Sequence, residues 1–153
     1  MKNRDELYML EALKEANKAF LAGEVPVGCV IVKDDEIIAR GYNIREESQT
    51  VFSHAETIAI EKACKKLKSW RLEDCEIFVT LEPCLMCSGA IILARMKRLV
   101  YGAKEPKFGT HQSILNVYEY NFNHKVEIVS GVLEEKSNEL LKRFFKKLRD
   151  EKN

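Results

Sequence analysis

The run Glu76-Ile77-Phe78-Val79-Thr80-Leu81-Glu82-Pro83-Cys84-Leu85-Met86-Cys87 changes character at Pro83. Its first half is rich in β-branched and aromatic residues and predicts a strand over 76–81, which Pro83 ends because it cannot donate to a ladder. Residues 84–96 follow with Ala90, Ile91, Ile92, Leu93 and Ala94 and few charges, so they predict a helix that is apolar nearly all round. Such a helix is central to a core or shared with a partner subunit.

Working upstream, residues 54–68 carry Ile58, Ala59, Ala63 and Leu67 on one helical face, preceded by a polar, unperiodic stretch over 43–53 that reads as a loop. Before it, 27–32 and 36–42 are two apolar runs around Asp34-Asp35, the pattern of a β-hairpin. Leu7, Leu10, Leu13, Ala16 and Phe20 recur at helical spacing over 5–22, with an Asn3 and Glu6 capping pattern at the start and Gly23 as the stop. Downstream, 99–101 predicts a fourth strand ending at Gly102. Residues 103–124 read as mostly loop with a short helix over 112–118, 126–129 as a fifth strand, and 134–150 as a last helix with Leu140, Leu141, Phe144, Phe145 and Leu148.

This order predicts an α/β fold, a three-layer α-β-α sandwich in which a mixed five-stranded sheet has helices on both faces. A chain of 153 residues without repeats or linkers is expected to form one domain over 1–153. Basic residues (25) nearly balance acidic ones (24), so net charge does not announce a nucleic-acid partner. The balance hides an asymmetry, because residues 136–153 hold seven basic side chains against three acidic ones. No stretch is long and apolar enough for a membrane span, and the first six residues, Met1 to Glu6, carry no signal-peptide pattern. With an odd number of cysteines, five, this composition points to a reducing cytoplasm, where Cys-x-x-Cys is more often metal-binding or catalytic than a disulfide.

Cys84 and Cys87 stand three apart at a helix start, on one side of one turn. Two thiolates at about 2.3 Å from a tetrahedral zinc need sulfurs only about 3.8 Å apart, which one turn can present. Unpaired N–H groups and the helix dipole also favour anionic sulfur there. His54 supplies a neutral imidazole from a second helix start. No fourth Cys or His lies close in sequence, so the shell keeps a position for water, and Glu56 is placed to shuttle a proton.

Each fragment has a plainer reading. Cys84-x-x-Cys87 fits a redox pair or core thiols, and Ser53-x-x-Glu56 fits a helix-capping box in which Glu56 only serves backbone donors. The combination is more specific, because zinc nucleobase deaminases carry His-x-Glu followed by Pro-Cys-x-x-Cys. Cys29, Cys64 and Cys75 read as small core hydrophobes, and His111 and His124 as surface or turn residues.

With these residues in view the chain resembles the cytidine deaminase-like superfamily, and within it the bacterial tRNA-specific adenosine deaminases. The resemblance runs through Glu24-Val25-Pro26-Val27-Gly28, Gly41-Tyr42-Asn43, His54-Ala55-Glu56, the segment 80–90, Tyr101-Gly102-Ala103, residues 123–127, Ser130-Gly131-Val132-Leu133 and the Phe144-Phe145 helix. It implies that His54, Cys84 and Cys87 hold one Zn2+ per subunit and that Glu56 is the proton shuttle. It further implies that Asn43 contacts the flipped base and its sugar, and that Val25, Ala55 and Pro83 frame the base. Phe145, Lys146 and Arg149 would meet the RNA beside it. The implied partner is a tRNA anticodon stem-loop, the implied assembly a homodimer, and the implied reaction hydrolysis of the wobble adenosine of an arginine tRNA to inosine with release of ammonia.

Glu105 stands where relatives carry Asp, which bears on the expected contact to the RNA sugar. His111-Gln112 and Thr50-Val51-Phe52-Ser53 also depart from the family pattern. For the C-terminal helix, the core reading of both phenylalanines and a solvated face for the lysines stays open. Two further functions do too: a deaminase of free guanine, cytosine or cytidine on the same site, and a non-catalytic zinc-stabilised RNA-binding module, which requires a closed four-ligand shell.

Overall fold

The computed structural model describes residues 3–152, so Met1, Lys2 and Asn153, at the ends of the expected domain and of the N-terminal reading, lie outside the described residues. Helix α1 (Arg4–Leu21) opens with Asn3 Oδ1 accepting the Glu6 N–H at 2.8 Å, as the cap pattern predicts. Strands β1 (Gly28–Lys33) and β2 (Glu36–Tyr42) form the hairpin. Asp34 and Asp35 both take positive φ, 51° and 61°, which suits the two-residue turn whose twist matches the strands.

A single-turn helix, α2 (Arg45–Ser48), lies within the expected loop over 43–53. Periodicity could not reveal one turn, whose existence depends on an outside cap described below. Helix α3 (Ala55–Leu67) leads to β3 (Cys75–Leu81), and α4 (Leu85–Leu93) follows with Cys84 as its N-cap. The helix expected to reach residue 96 ends earlier because Arg95 turns left-handed at φ 62° and the Met96 N–H bonds back to Ile91 O. Strand β4 (Arg98–Ala103) and strand β5 (Glu127–Val129) precede α5 (Glu134–Lys152). The short helix expected over 112–118 is absent. Only a 3-10 turn, Val117–Glu119, forms there, because the N–H groups of 111–113 are taken by a buried carboxylate rather than by a helical ladder.

The sheet runs β2-β1-β3-β4-β5, with β1 antiparallel to β2 and β3, and β3, β4 and β5 parallel. This is the mixed sheet expected. Alternation divides the strand residues between two buried clusters. Val30, Val32, Phe78 and Val100 pack under Met9 and Ala12 of α1, while Cys29, Ile31, Ile77, Val79, Leu99 and Tyr101 pack under Ala55, Ala59, Ala63 and Ile91 of α3 and α4. Helix α5 joins α1 on its face, where Phe144 meets Phe20 edge to face at 6.1 Å. Gly41 lets α3 touch the sheet, since a Cβ there would stand 2.5 Å from Ala55 O. That contact fixes the turn beginning at His54 against β2. Among the described residues no helix is long and apolar enough to cross a membrane.

Candidate active site

Strand β3 ends at Leu81 and Pro83 sends the chain outward, so Cys84 caps α4 with extended φ and ψ of -78° and 177°. His54 caps α3 in the same way, with -87° and 158°. Two helix N-termini therefore converge, and their unpaired N–H groups favour negative charge between them. His54 Nδ1 stands 3.6 Å from Cys84 Sγ and 3.5 Å from Cys87 Sγ. For zinc with N and S ligands at about 2.05 and 2.3 Å, a tetrahedral N···S edge is about 3.6 Å. The donor set therefore fits that ion, and among the described residues His54, Cys84 and Cys87 form the candidate metal group.

Hydrogen bonding from Cys87 lowers the Cys84 thiol to about 4, and the same bond together with burial holds the Cys87 thiol far above its ordinary value. The arrangement favours one thiolate in the pair, and a divalent cation held there would favour ionisation of the second sulfur. The bond to Cys84 raises His54.

Glu56 is buried, 4% exposed, and burial pushes its carboxyl up to about 7, the range useful to a group that takes and returns a proton near neutral pH. The plainer reading of this residue as a capping-box glutamate fails by one position. His54, not Ser53, is the cap, and Thr57 Oγ1 accepts the His54 N–H at 3.2 Å, so the reciprocal bond belongs to threonine.

Asn43 is buried beside this centre, where Nδ2 donates to Val25 O at 3.1 Å and Oδ1 accepts the Arg45 N–H at 3.2 Å. These two bonds leave one N–H and one lone pair of its amide unused. Ala55 is fully buried in the first turn of α3, and buried Pro83 offers its carbonyl to Thr110 N and Oγ1 at 3.1 and 3.0 Å. Glu105 is half-buried, and its Oε1 accepts the Lys107 N–H at 3.0 Å. Phe145, Lys146 and Arg149 are exposed on α5, in the layer opposite α3 and α4. The phenylalanine pair divides: Phe144 is 7% exposed and belongs to the core, whereas Phe145 is 42% exposed.

Sequence reasoning missed two buried carboxylates. Glu24 accepts the Glu46 and Glu47 N–H groups at 2.9 and 2.8 Å, and so caps α2 from outside. Glu82 accepts the N–H groups of Glu105, His111, Gln112 and Ser113 at 3.0, 2.9, 2.8 and 3.1 Å, and the Ser113 hydroxyl at 2.5 Å. The available signal was an acidic residue placed directly before Val25-Pro26 and Pro83-Cys84. His111 lies in a turn, as expected, but is half-buried there, with Nδ1 2.8 Å from the Tyr101 hydroxyl, and burial lowers its pKa. His124 Nε2 meets Met96 O at 2.6 Å. Cys29 and Cys75 are buried as expected, and half-buried Cys64 packs against the same core cluster.

A family model described as MafB19-like deaminase matches residues 3–149. The tRNA-specific adenosine deaminase of Bacillus subtilis (strain 168) is 51% identical over 150 residues, covering 97% of this chain and 93% of the relative. A solved structure from a study of A-to-I editing by tRNA:A34 deaminases at the wobble position of transfer RNA superimposes with TM-score 0.85 at 41% identity, covering 88% of this chain and 99% of that one. The guanine deaminase of Bacillus subtilis superimposes with TM-score 0.64 at 34% identity, covering 80% and 88%. The converging helix starts, the His-Cys-Cys donor set and near full-length identity leave one conclusion: this chain belongs to the family of tRNA-specific adenosine deaminases.

Proposed function

We propose that the chain is a single zinc-dependent deaminase domain over 1–153 that converts the wobble adenosine of an arginine tRNA to inosine and releases ammonia. The observation that carries this is the tetrahedral-edge spacing of His54, Cys84 and Cys87 beside buried Glu56, in a chain 51% identical to a tRNA-specific adenosine deaminase. His54, Cys84 and Cys87 hold zinc, which when bound supplies a Lewis acid able to bring the pKa of a water down to about 7.

Glu56 takes one proton from the attacking water and gives it to N1 of adenine, then takes the second from the hydroxyl now bonded to C6 and gives it to the leaving amine, so that the C6–N bond breaks, the C6 carbonyl forms and ammonia departs. Burial favours this double duty, since a carboxyl held near 7 gives up a proton about as readily as it takes one. The free N–H and lone pair of Asn43 orient the base and sugar, while Val25, Ala55 and Pro83 wall the base against bulk water. Glu105 lies toward the RNA sugar. Phe145, Lys146 and Arg149 line the path of the flanking RNA, with the aromatic ring toward a base and the cations toward phosphates. Leu85 and Leu93 remain exposed on α4, which supports a homodimer built on that face. The protein works in the cytoplasm.

The 34% match to a guanine deaminase favours a second reading, deamination of a free base at the same site. Zinc-loaded protein is incubated with an arginine tRNA bearing a wobble adenosine, and separately with guanine, cytosine, cytidine and adenosine. Inosine in the tRNA that vanishes with Glu56→Ala supports the main reading. Ammonia from a free base alone sinks it, and zinc without any turnover favours the non-catalytic module.

A further inference from the structure

Phe52 and Phe108 are 69% and 68% exposed, although each sits on a braced loop. Phe52 lies two residues before His54, and its carbonyl accepts the His54 N–H at 3.0 Å and the Thr57 hydroxyl. Its backbone is therefore locked to the first turn of α3. The loop that carries it is closed by Ile44 N–H to Ser53 O at 3.2 Å, and Glu24 holds its helical turn.

Phe108 is braced from the other side. At Gly109 an added Cβ would stand 2.3 Å from the Glu82 carboxyl carbon, and Thr110 bonds to the Pro83 carbonyl, one residue before Cys84. A single exposed phenylalanine needs no explanation. Here two loops abut the same centre, each presents a ring to water, and each is pinned elsewhere along its length by a buried carboxylate, Glu24 at residues 46 and 47 and Glu82 at residues 105 and 111–113.

The two loops carry charge of both signs, with Glu46, Glu47 and Glu105 beside three cations. Arg45, Lys104 and Lys107 are exposed on the same two loops, and among the described residues none of them forms an ion pair. Rings interleaved with unpaired cations suit bases and phosphates of single-stranded RNA. Turning one nucleotide out of a stacked loop also leaves each neighbour with a bare face, which an aromatic side chain can cover whatever the base.

We propose that Phe52 and Phe108 are stacking platforms for the two bases that flank the target adenosine. This rests on the RNA-deaminase reading above and adds to it the residues that hold the flanking nucleotides. Because each ring contacts substrate but not the reacting atoms, its loss acts on KM before kcat.

The test uses zinc-loaded full-length protein and an anticodon stem-loop RNA with 2-aminopurine placed in turn on each side of the target. Binding to wild type quenches both probes. Phe52→Ala and Phe108→Ala each release one probe and raise KM roughly tenfold, with kcat changed less than about twofold. Tyrosine at either position restores quenching and KM, whereas leucine, which keeps apolar bulk without a π face, does not. Full rescue by leucine, unchanged quenching in the alanine variants, or dissociation of a dimer by either alanine variant in sedimentation velocity overturns the proposal. If wild type forms no inosine in the RNA at all, the deaminase reading itself fails, and that outcome is distinct from a defect confined to the variants.

Discussion

Glu82 Oε2 accepts the backbone N–H of Gln112 at 2.8 Å, tying the end of β3 to a loop that follows β4. The same carboxylate serves four further donors and is 2% exposed, so the loop over 105–113 is folded around one buried charge. Glu82→Ala leaves those donors unmet and is expected to cost about 2–4 kcal/mol. Glu82→Gln falls between, because its amide N–H2 faces donors. Urea unfolding gives the stability, and hydrogen exchange at 105–113 gives the location; unchanged protection there would contradict this role.

Metal content separates ligands from the proton carrier. Wild type is expected to bind one zinc per chain, and His54→Ala or Cys87→Ala to lose it. Glu56→Ala keeps the full zinc complement while inosine formation falls by about 10²–10⁴. Metal analysis beside single-turnover assays checks this, and zinc loss in the Glu56 variant would count against the assignment.

Phe144 and Phe145 stand edge to face at 5.3 Å yet should respond oppositely to truncation. Phe144→Ala opens a cavity against Phe20 and is expected to destabilise by about 3 kcal/mol. Phe145→Ala should move stability by less than about 1 kcal/mol and weaken binding of an anticodon stem-loop. Thermal melts and a fluorescence titration distinguish the two.

Arg98 pairs with Asp5 at 2.6 Å and Glu76 at 3.0 Å, joining α1 to β3 and β4. The Arg98 hydrogen bond lowers Asp5. At Glu76 burial pulls upward, but the bonds from Arg4 and Arg98 outweigh it and the net shift is down. Carboxylates lowered in the folded state stabilise it above their unfolded values near about 4, and that contribution is lost as pH falls through the lowered folded values. Arg98→Met is expected to cost about 1–3 kcal/mol at pH 7, and the gap to wild type should shrink below about pH 4. Melting curves across pH 2–8 would show a constant gap if the ion pairs contribute nothing.

The elements with strong period or strong punctuation were legible before any fold was known. Asn3 and Glu6 mark the start of α1, Asp34-Asp35 the hairpin turn, and Pro83 the end of β3, because each acts through backbone geometry within a few residues. The pattern over 112–118 points to a helix that does not form, and the unperiodic stretch over 43–53 hides α2. Both segments take their shape from a carboxylate distant in sequence, Glu82 or Glu24, which a local pattern does not contain.

The donor set belongs to the sequence. Cys84 and Cys87 share one helical turn, and His54-Ala55-Glu56 carries its own spacing, so those residue types announce metal and proton chemistry wherever the segments lie. Only the tertiary structure decided that two helix starts meet with His54 Nδ1 about a tetrahedral edge from both sulfurs, that Thr57 frees Glu56 from capping, and that Phe144 is buried while Phe145 is not. These are relations between segments brought together by the order of the sheet, and distance through space is set by packing rather than by position along the chain.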